Sequence, residues 1–255
     1  MMRWILPACL CVLVFLCLVP MAQAQEDVLF DSIDNQIIYS HERVGTVIAT
    51  NLGLGAGFRK GINKNAFNTR VLSFEFVSMR SPKQVKVINP YYNNAKRYVY
   101  GKLNDVFMLR ASYGNKKLLN RKPYWGGVEL RWVYDGGASL AFEKPYYLFV
   151  RKVLGNNTVV IETELFSPDI SWDNIYGRAP FTKGFSELKV IPGVFVHTGI
   201  NAEFGYVKTS IKALEAGLTL EAFPQGVSIM DDNLKQKFFA TFYLSLSFGR
   251  RFNKY

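Results

Sequence analysis

The sequence predicts an all-β chain closed into an antiparallel transmembrane β-barrel of eight strands, preceded by a cleaved signal peptide. Three observations carry that prediction. The chain opens with an export signal, it has no later apolar run long enough to cross a bilayer as a helix, and most of the remainder alternates apolar with polar residues at period two. The alternation is clearest over residues 238–248, where Phe238, Ala240, Phe242, Leu244, Leu246 and Phe248 share one face and Phe239, Thr241, Tyr243, Ser245 and Ser247 the other. A strand of a soluble sandwich alternates in the same way. Length and company decide for the barrel: about eleven residues suit a tilted membrane strand. A protein that spans a bilayer without helices must pair every backbone polar group between strands, which only a closed ring achieves.

Residues 1–24 carry Arg3, an apolar run from Trp4 to Val19, then Pro20 and Ala22-Gln23-Ala24. A positive start, an apolar centre and an A-x-A site make a secretory signal peptide, with Gln25 the first mature residue. A retained membrane helix is disfavoured because the run is short of the ~20 residues a span needs. Leu6-Pro7-Ala8-Cys9 has the outline of a lipidation site, but the apolar stretch before it is too short for a signal core. Cys9, Cys11 and Cys17 all lie in the removable segment, so the mature chain offers no disulfide, thiolate ligand or cysteine nucleophile. Residues 25–42 read as a periplasmic lead-in and 43–255 as the outer-membrane barrel domain.

Hydrophobic residues make up 49% of the chain, yet the mean hydropathy is only +0.03, as a wall with a polar inner face requires. The formal charge is +11, and loss of Arg3 leaves 30 basic against 20 acidic residues, or +10. Export makes nucleic acid an unsuitable partner. Lipid phosphates, lipopolysaccharide or other polyanionic saccharides suit the excess better, unless it is simply solvated loop lysine.

In chain order, the first strand is read over 44–58, with Thr46, Ile48, Thr50, Leu52, Leu54, Ala56 and Phe58 on one face and Val47, Ala49, Asn51, Gly53, Gly55 and Gly57 on the other. The glycine stripe lets the wall curve or lets bulky interior side chains approach the backbone. A phosphate-binding loop is disfavoured, because the glycines recur at period two and no helix follows. Strands over 69–79 and 98–113 come next, joined by a basic, aromatic link over 80–96 of the kind that suits a membrane interface. Asp105 falls on the outer phase of the third strand, a mark of a bulge or of the rim.

A fourth strand over 125–134 is expected to turn at Asp135-Gly136-Gly137 into a fifth over 138–150, with Pro145 near the rim, where a missing donor costs least. Residues 151–186 lack sustained alternation and form the longest loop, the candidate ligand-recognising segment or a lid, with 158–161 able to extend a hairpin above the membrane. A hairpin within the wall there would raise the count to ten strands. The sixth and seventh strands, over 193–205 and 211–223, meet at a short turn near Val207, and 238–248 closes the ring. The turns at Asp135 and Val207 then fall on the periplasmic side with both termini.

The same phase assigns a polar interior: Glu75, Arg110, Glu129, Arg131, Glu143, His197, Glu203, Glu215 and Glu221. An eight-stranded barrel is only wide enough for side chains to fill it, and a buried ion is costly unless paired. The expectation is a salt-bridged plug with Arg110 and Arg131 as its cations, in preference to a small-solute pore. The mature chain has two histidines, His41 and His197. A lipid-modifying enzyme would therefore have to rest on His197, and a lone inward histidine is more often a hydrogen-bonded structural residue. No catalytic, cofactor-binding or metal-binding residue is assigned.

Tyr98-Val-Tyr-Gly-Lys102 with Leu109-Arg110-Ala111, Gly136-Gly137 followed by Lys144-Pro-Tyr-Tyr-Leu148, Phe223-Pro224, and the ending Phe248-Gly-Arg-Arg-Phe-Asn253 give the chain a family likeness. In these patches it resembles the Bacteroidota-type outer-membrane β-barrel proteins that include the PorT-like barrels. The resemblance implies an integral outer-membrane barrel without established catalytic residues. It also implies a place in secretion or envelope assembly, with envelope or secretion proteins as partners.

Overall fold

The computed structural model describes residues 39–121, 127–153, 159–205, 207, 209–231 and 235–253. The signal peptide and residues 25–38 of the lead-in lie outside the described residues. In chain order the strands are β1 (His41–Thr50), β2 (Gly53–Asn63), β3 (Asn68–Met79), β4 (Lys86–Val87), β5 (Tyr98–Val99), β6 (Asn104–Asn120) and β7 (Glu129–Pro145). They continue as β8 (Tyr147–Val153), β9 (Val159–Leu165), β10 (Ile175–Arg178), β11 (Lys189–Glu203), β12 (Ser210–Val227) and β13 (Gln236–Phe252).

Eight of these close into one antiparallel barrel in the order β1-β13-β12-β11-β7-β6-β3-β2. Closure is made by β1, which pairs with β13 (Val47 opposite Leu246) and with β2 (Val47 opposite Ala56). The barrel wall itself has no open edge to recruit another chain. The connections after β2, β6 and β11 share one end with the start of β1 and the end of β13. The long connections after β3 and β7 leave from the other end.

Two errors in the predicted strands offset each other, so that the count stays at eight. Residues 44–58 are not one strand: β1 and β2 form a tight hairpin about Asn51-Leu52, closed by the Thr50 hydroxyl donating to the Gly53 carbonyl at 3.1 Å. Thr46 and Ile48 therefore face inward while Val47 is 59% exposed, the reverse of the predicted phase, whereas Leu54 and Phe58 do face outward. Conversely, Asp135-Gly136-Gly137 makes no turn, because it lies inside the unbroken strand β7. The glycines there serve close approach: a Cβ on Gly137 would stand 1.9 Å from the Ala111 carbonyl oxygen, and one on Gly114 2.3 Å from Asp135 Cβ. They let β6 and β7 bend sharply against each other.

The third predicted strand is also shifted. The barrel strand starts at Asn104, and Tyr98–Val99 pairs with Lys86–Val87 outside the wall. Asp105 keeps the outer phase at the rim, where Lys102, Lys144 and Arg178 bury it.

The outer wall is apolar all round, with Phe58, Phe74, Leu109, Trp132, Val196, Ile200, Leu218, Phe242 and Leu244 exposed on it. On β11 the exposed series runs from Val194 to Phe204. At about 3.3 Å per residue and a tilt of about 40°, that is a band about 25 Å tall. Beyond the far end of the barrel, β10-β8-β9 form a small sheet over an apolar core of Tyr98, Tyr146, Leu148, Val150, Phe166 and Ile175. The β8–β9 hairpin realises the expected extension above the wall without adding strands to it.

Candidate functional site: the filled interior and the basic rim

The inward residues of the wall meet in tiers. In the middle tier Arg59 reaches from β2 to Glu215 on β12, its Nη1 2.7 Å from Oε2 and its Nη2 3.2 Å from Oε1. The same carboxylate accepts from Asn201 Nδ2 at 2.8 Å and from the Tyr243 hydroxyl at 3.1 Å. His197 places Nε2 3.5 Å from Glu215 and Nδ1 3.9 Å from Asp135, and its ring meets the Tyr243 ring edge-on at 4.3 Å. Tyr243 can lie across the interior because Gly199 and Gly217, paired opposite each other, leave room for its hydroxyl.

Toward the far mouth, Arg110 holds Glu221 by two hydrogen bonds, at 2.9 and 2.8 Å, and lies 3.5 Å from Glu75, with Ser139 donating to Glu221 at 3.0 Å. Toward the end that carries the termini, Arg251 binds Glu203 with Nη1 at 2.9 Å from Oε1, Lys116 and Arg251 both face Glu42 at 3.8 Å, and Arg131 pairs with Glu129. Such pairs repay the loss of water only when their remaining hydrogen-bonding capacity is used, and the bidentate arginines are the geometry that does so. Above the Arg110 tier the interior turns apolar: Val77, Met79, Val106, Met108, Ala141, Ile191, Phe223, Ile229 and Phe239 pack into one cluster.

Glu75, Arg110, His197, Glu203, Glu215 and Glu221 are all buried inside, but in different tiers, while Glu129 and Arg131 are part-buried near one end. Glu143 is at the opposite rim, accepting from the Ser228 backbone N–H. The cation at the centre is Arg59 rather than Arg131. Arg59 lay one residue beyond the predicted strand, though the inward series Gly53, Gly55, Gly57 points straight to it. Lys116 likewise lies beyond the predicted strand end at 113, although Arg110 and Ser112 set its phase.

The second cluster is at the far rim. Asp105 is approached by Lys102 at 2.6 Å, Arg178 at 2.7 Å and Lys144 at 3.3 Å. Arg178 also lies over the rings of Tyr146 and Phe181, at 5.1 and 5.5 Å. Of these groups, Lys102, Asp105, Arg178, Tyr146 and Phe181 border a cleft of about 250 Å³ between the rim of β3 and β6 and the outer loops. Among the described residues no group of three or more His, Asp and Glu side chains could hold a metal ion.

No protein-family model and no curated protein matches the chain. Solved structures that align with it include three outer-membrane proteins. Neisserial surface protein A is 10% identical, with 83% of this chain and 94% of that one covered and a TM-score of 0.38. Ail, the attachment invasion locus protein of Yersinia pestis, in complex with the heparin analogue sucrose octasulfate, is 8% identical, with 84% and 100% covered and a TM-score of 0.41. The N-terminal β-barrel domain of Pseudomonas aeruginosa OprF is 10% identical, with 83% and 98% covered and a TM-score of 0.33.

Proposed function

We propose that this chain is an integral outer-membrane protein, exported by its signal peptide, that works as a non-enzymatic structural or accessory component of the cell envelope. The observation that carries this reading is one inversion: the outward face of a closed ring is apolar while its interior holds the charges. In water that arrangement would leave an apolar surface far larger than soluble monomers expose. In hydrocarbon it satisfies both the wall and the backbone. The PorT-like resemblance adds a place in secretion or envelope assembly, with the outer loops meeting envelope proteins and glycolipid.

A diffusion pore is the second reading. Against it stand the salt-bridged tiers and the apolar cluster that closes the far mouth. A lipid-modifying enzyme would need His197 at a lipid-accessible rim, and His197 is 3% exposed in the middle tier.

The test joins location to conductance. Membrane fractionation should find the mature chain with the outer membrane, and the purified protein in planar bilayers should give no large, steady open-channel current. Recovery in the soluble periplasm would sink the membrane reading, and steady conductance would replace the plug with the pore.

A further inference from the structure

We infer that the rim cleft is a binding site for the phosphate-bearing headgroup of a membrane lipid, a deepening that rests on the membrane reading above. Arg80, Lys86, Arg97, Lys102 and Arg178 border it, against the one carboxylate of Asp105. That carboxylate is already shared by Lys102, Arg178 and Lys144. Arg80, Lys86 and Arg97 have no acidic partner among the described residues, and all three are exposed. With five cationic side chains facing one carboxylate, the cleft holds more positive charge than its own groups neutralise. A ligand phosphate supplies the missing anion, with charge-assisted hydrogen bonds to the guanidinium groups.

The shape of the cleft selects a lipid over a soluble phosphate. Its lip is aromatic: Phe107 meets Phe181 edge-on at 6.1 Å and stacks at 5.7 Å on Phe76, which is half exposed on the outer wall. The cations thus sit at the upper margin of the apolar band, and a path of aromatic rings leads from them down the wall. A headgroup in the cleft would let its acyl chains follow that path into hydrocarbon. A free phosphate ester would leave the rings without a partner.

The experiment uses the full mature chain in an uncharged detergent, with native mass spectrometry or tracer binding as readout. The probes are bis-phosphorylated lipid A, its dephosphorylated form, and acyl-free glucosamine phosphate. The phosphorylated lipid should bind at least tenfold more tightly than either comparator. The double variant Lys86→Gln/Arg97→Gln should weaken it about tenfold or more. Arg178→Gln should do so too, whereas Lys117→Gln, near the opposite end, should not. Because Lys86 and Arg97 make no ion pair among the described residues, their variant keeps the test independent of folding. Equal binding of the dephosphorylated lipid, or indifference to the double variant, would overturn the site. Equally tight binding of the acyl-free phosphate would overturn the lipid assignment. Failure of the membrane reading itself shows separately, as soluble protein on fractionation.

Discussion

Arg59 and Glu215, 156 residues apart in the chain, meet inside the barrel as a bidentate pair at 2.7 and 3.2 Å, with side-chain exposures of 4% and 0%. Neither is near a chain turn, so the contact exists only when the ring has closed. It also organises its neighbours, since Asn201 and Tyr243 donate to the same carboxylate. Opening the ring would break the pair and leave both charges without the geometry that makes their burial tolerable.

Arg59→Met should therefore destabilise the barrel by about 3–5 kcal/mol, the usual consequence of stranding one member of a buried pair. Adding Glu215→Gln should restore much of the loss, because without carrying charge the amide carbonyl still accepts from Asn201 and its NH2 donates to the Tyr243 hydroxyl, which can turn to accept. Urea unfolding in lipid vesicles, followed by tryptophan fluorescence, reads both. Single and double variants of equal stability would show that the pair does not act as argued.

A second prediction concerns the glycines beside Tyr243. A Cβ on Gly199 would stand 2.1 Å from the Tyr243 hydroxyl and 2.8 Å from the Ala216 carbonyl. Gly199→Ala should cost about 1–3 kcal/mol, the range for overpacking a filled interior. In the Tyr243→Phe background the added cost should be smaller, though not zero, because the Ala216 carbonyl remains. A double-mutant cycle of urea midpoints measures the coupling. Full additivity would mean that Gly199 is there for the backbone alone.

The barrel class is legible because alternation persists along each strand, whereas its turns are marked better by phase than by turn-forming residues. Across Asp135-Gly136-Gly137 the outward positions Trp132, Tyr134 and Ala138 keep one parity, and the strand runs straight through. Between Val47 and Leu54 the outward parity changes, and there the chain turns although Asn51-Leu52 is a weak turn signal. Arg59 and Lys116 follow from the same rule once each strand is extended in phase. The rim cluster follows only in part: Asp105 and Lys144 are opposite each other across β6 and β7, but Lys102 and Arg178 come from the outer segments. No period in the sequence brings those two to the pair.

The outward face gives a third prediction. Leu218 and Phe242 are opposite each other across β12 and β13 and are exposed by 39% and 65%. Leu218→Arg should lower stability in lipid by about 2–4 kcal/mol, the cost of a cation facing mid-bilayer. Lys237→Arg, at the start of β13, should leave it unchanged. Vesicle-based unfolding distinguishes the two. A tolerated Leu218→Arg would place this band outside hydrocarbon.

The outer sheet hangs on one amide. Asn89 is 1% exposed, and its Nδ2 donates toward the carbonyls of Trp172, Asp173 and Ile175 at 3.2, 3.0 and 2.9 Å, pinning the link after β3 onto the start of β10. An amide has two protons for these acceptors, so two of the three contacts share one donor. Asn89→Ala removes them all and leaves the carbonyls to find water. The cost, about 1–3 kcal/mol, falls on the outer loops alone, because the barrel ladder contains none of these residues. Limited proteolysis should then cut within residues 159–178 many times faster in Asn89→Ala than in the native chain, while urea unfolding of the barrel stays put. Equal cutting rates would show that the β8–β10 sheet is held by its own apolar core and not by this staple.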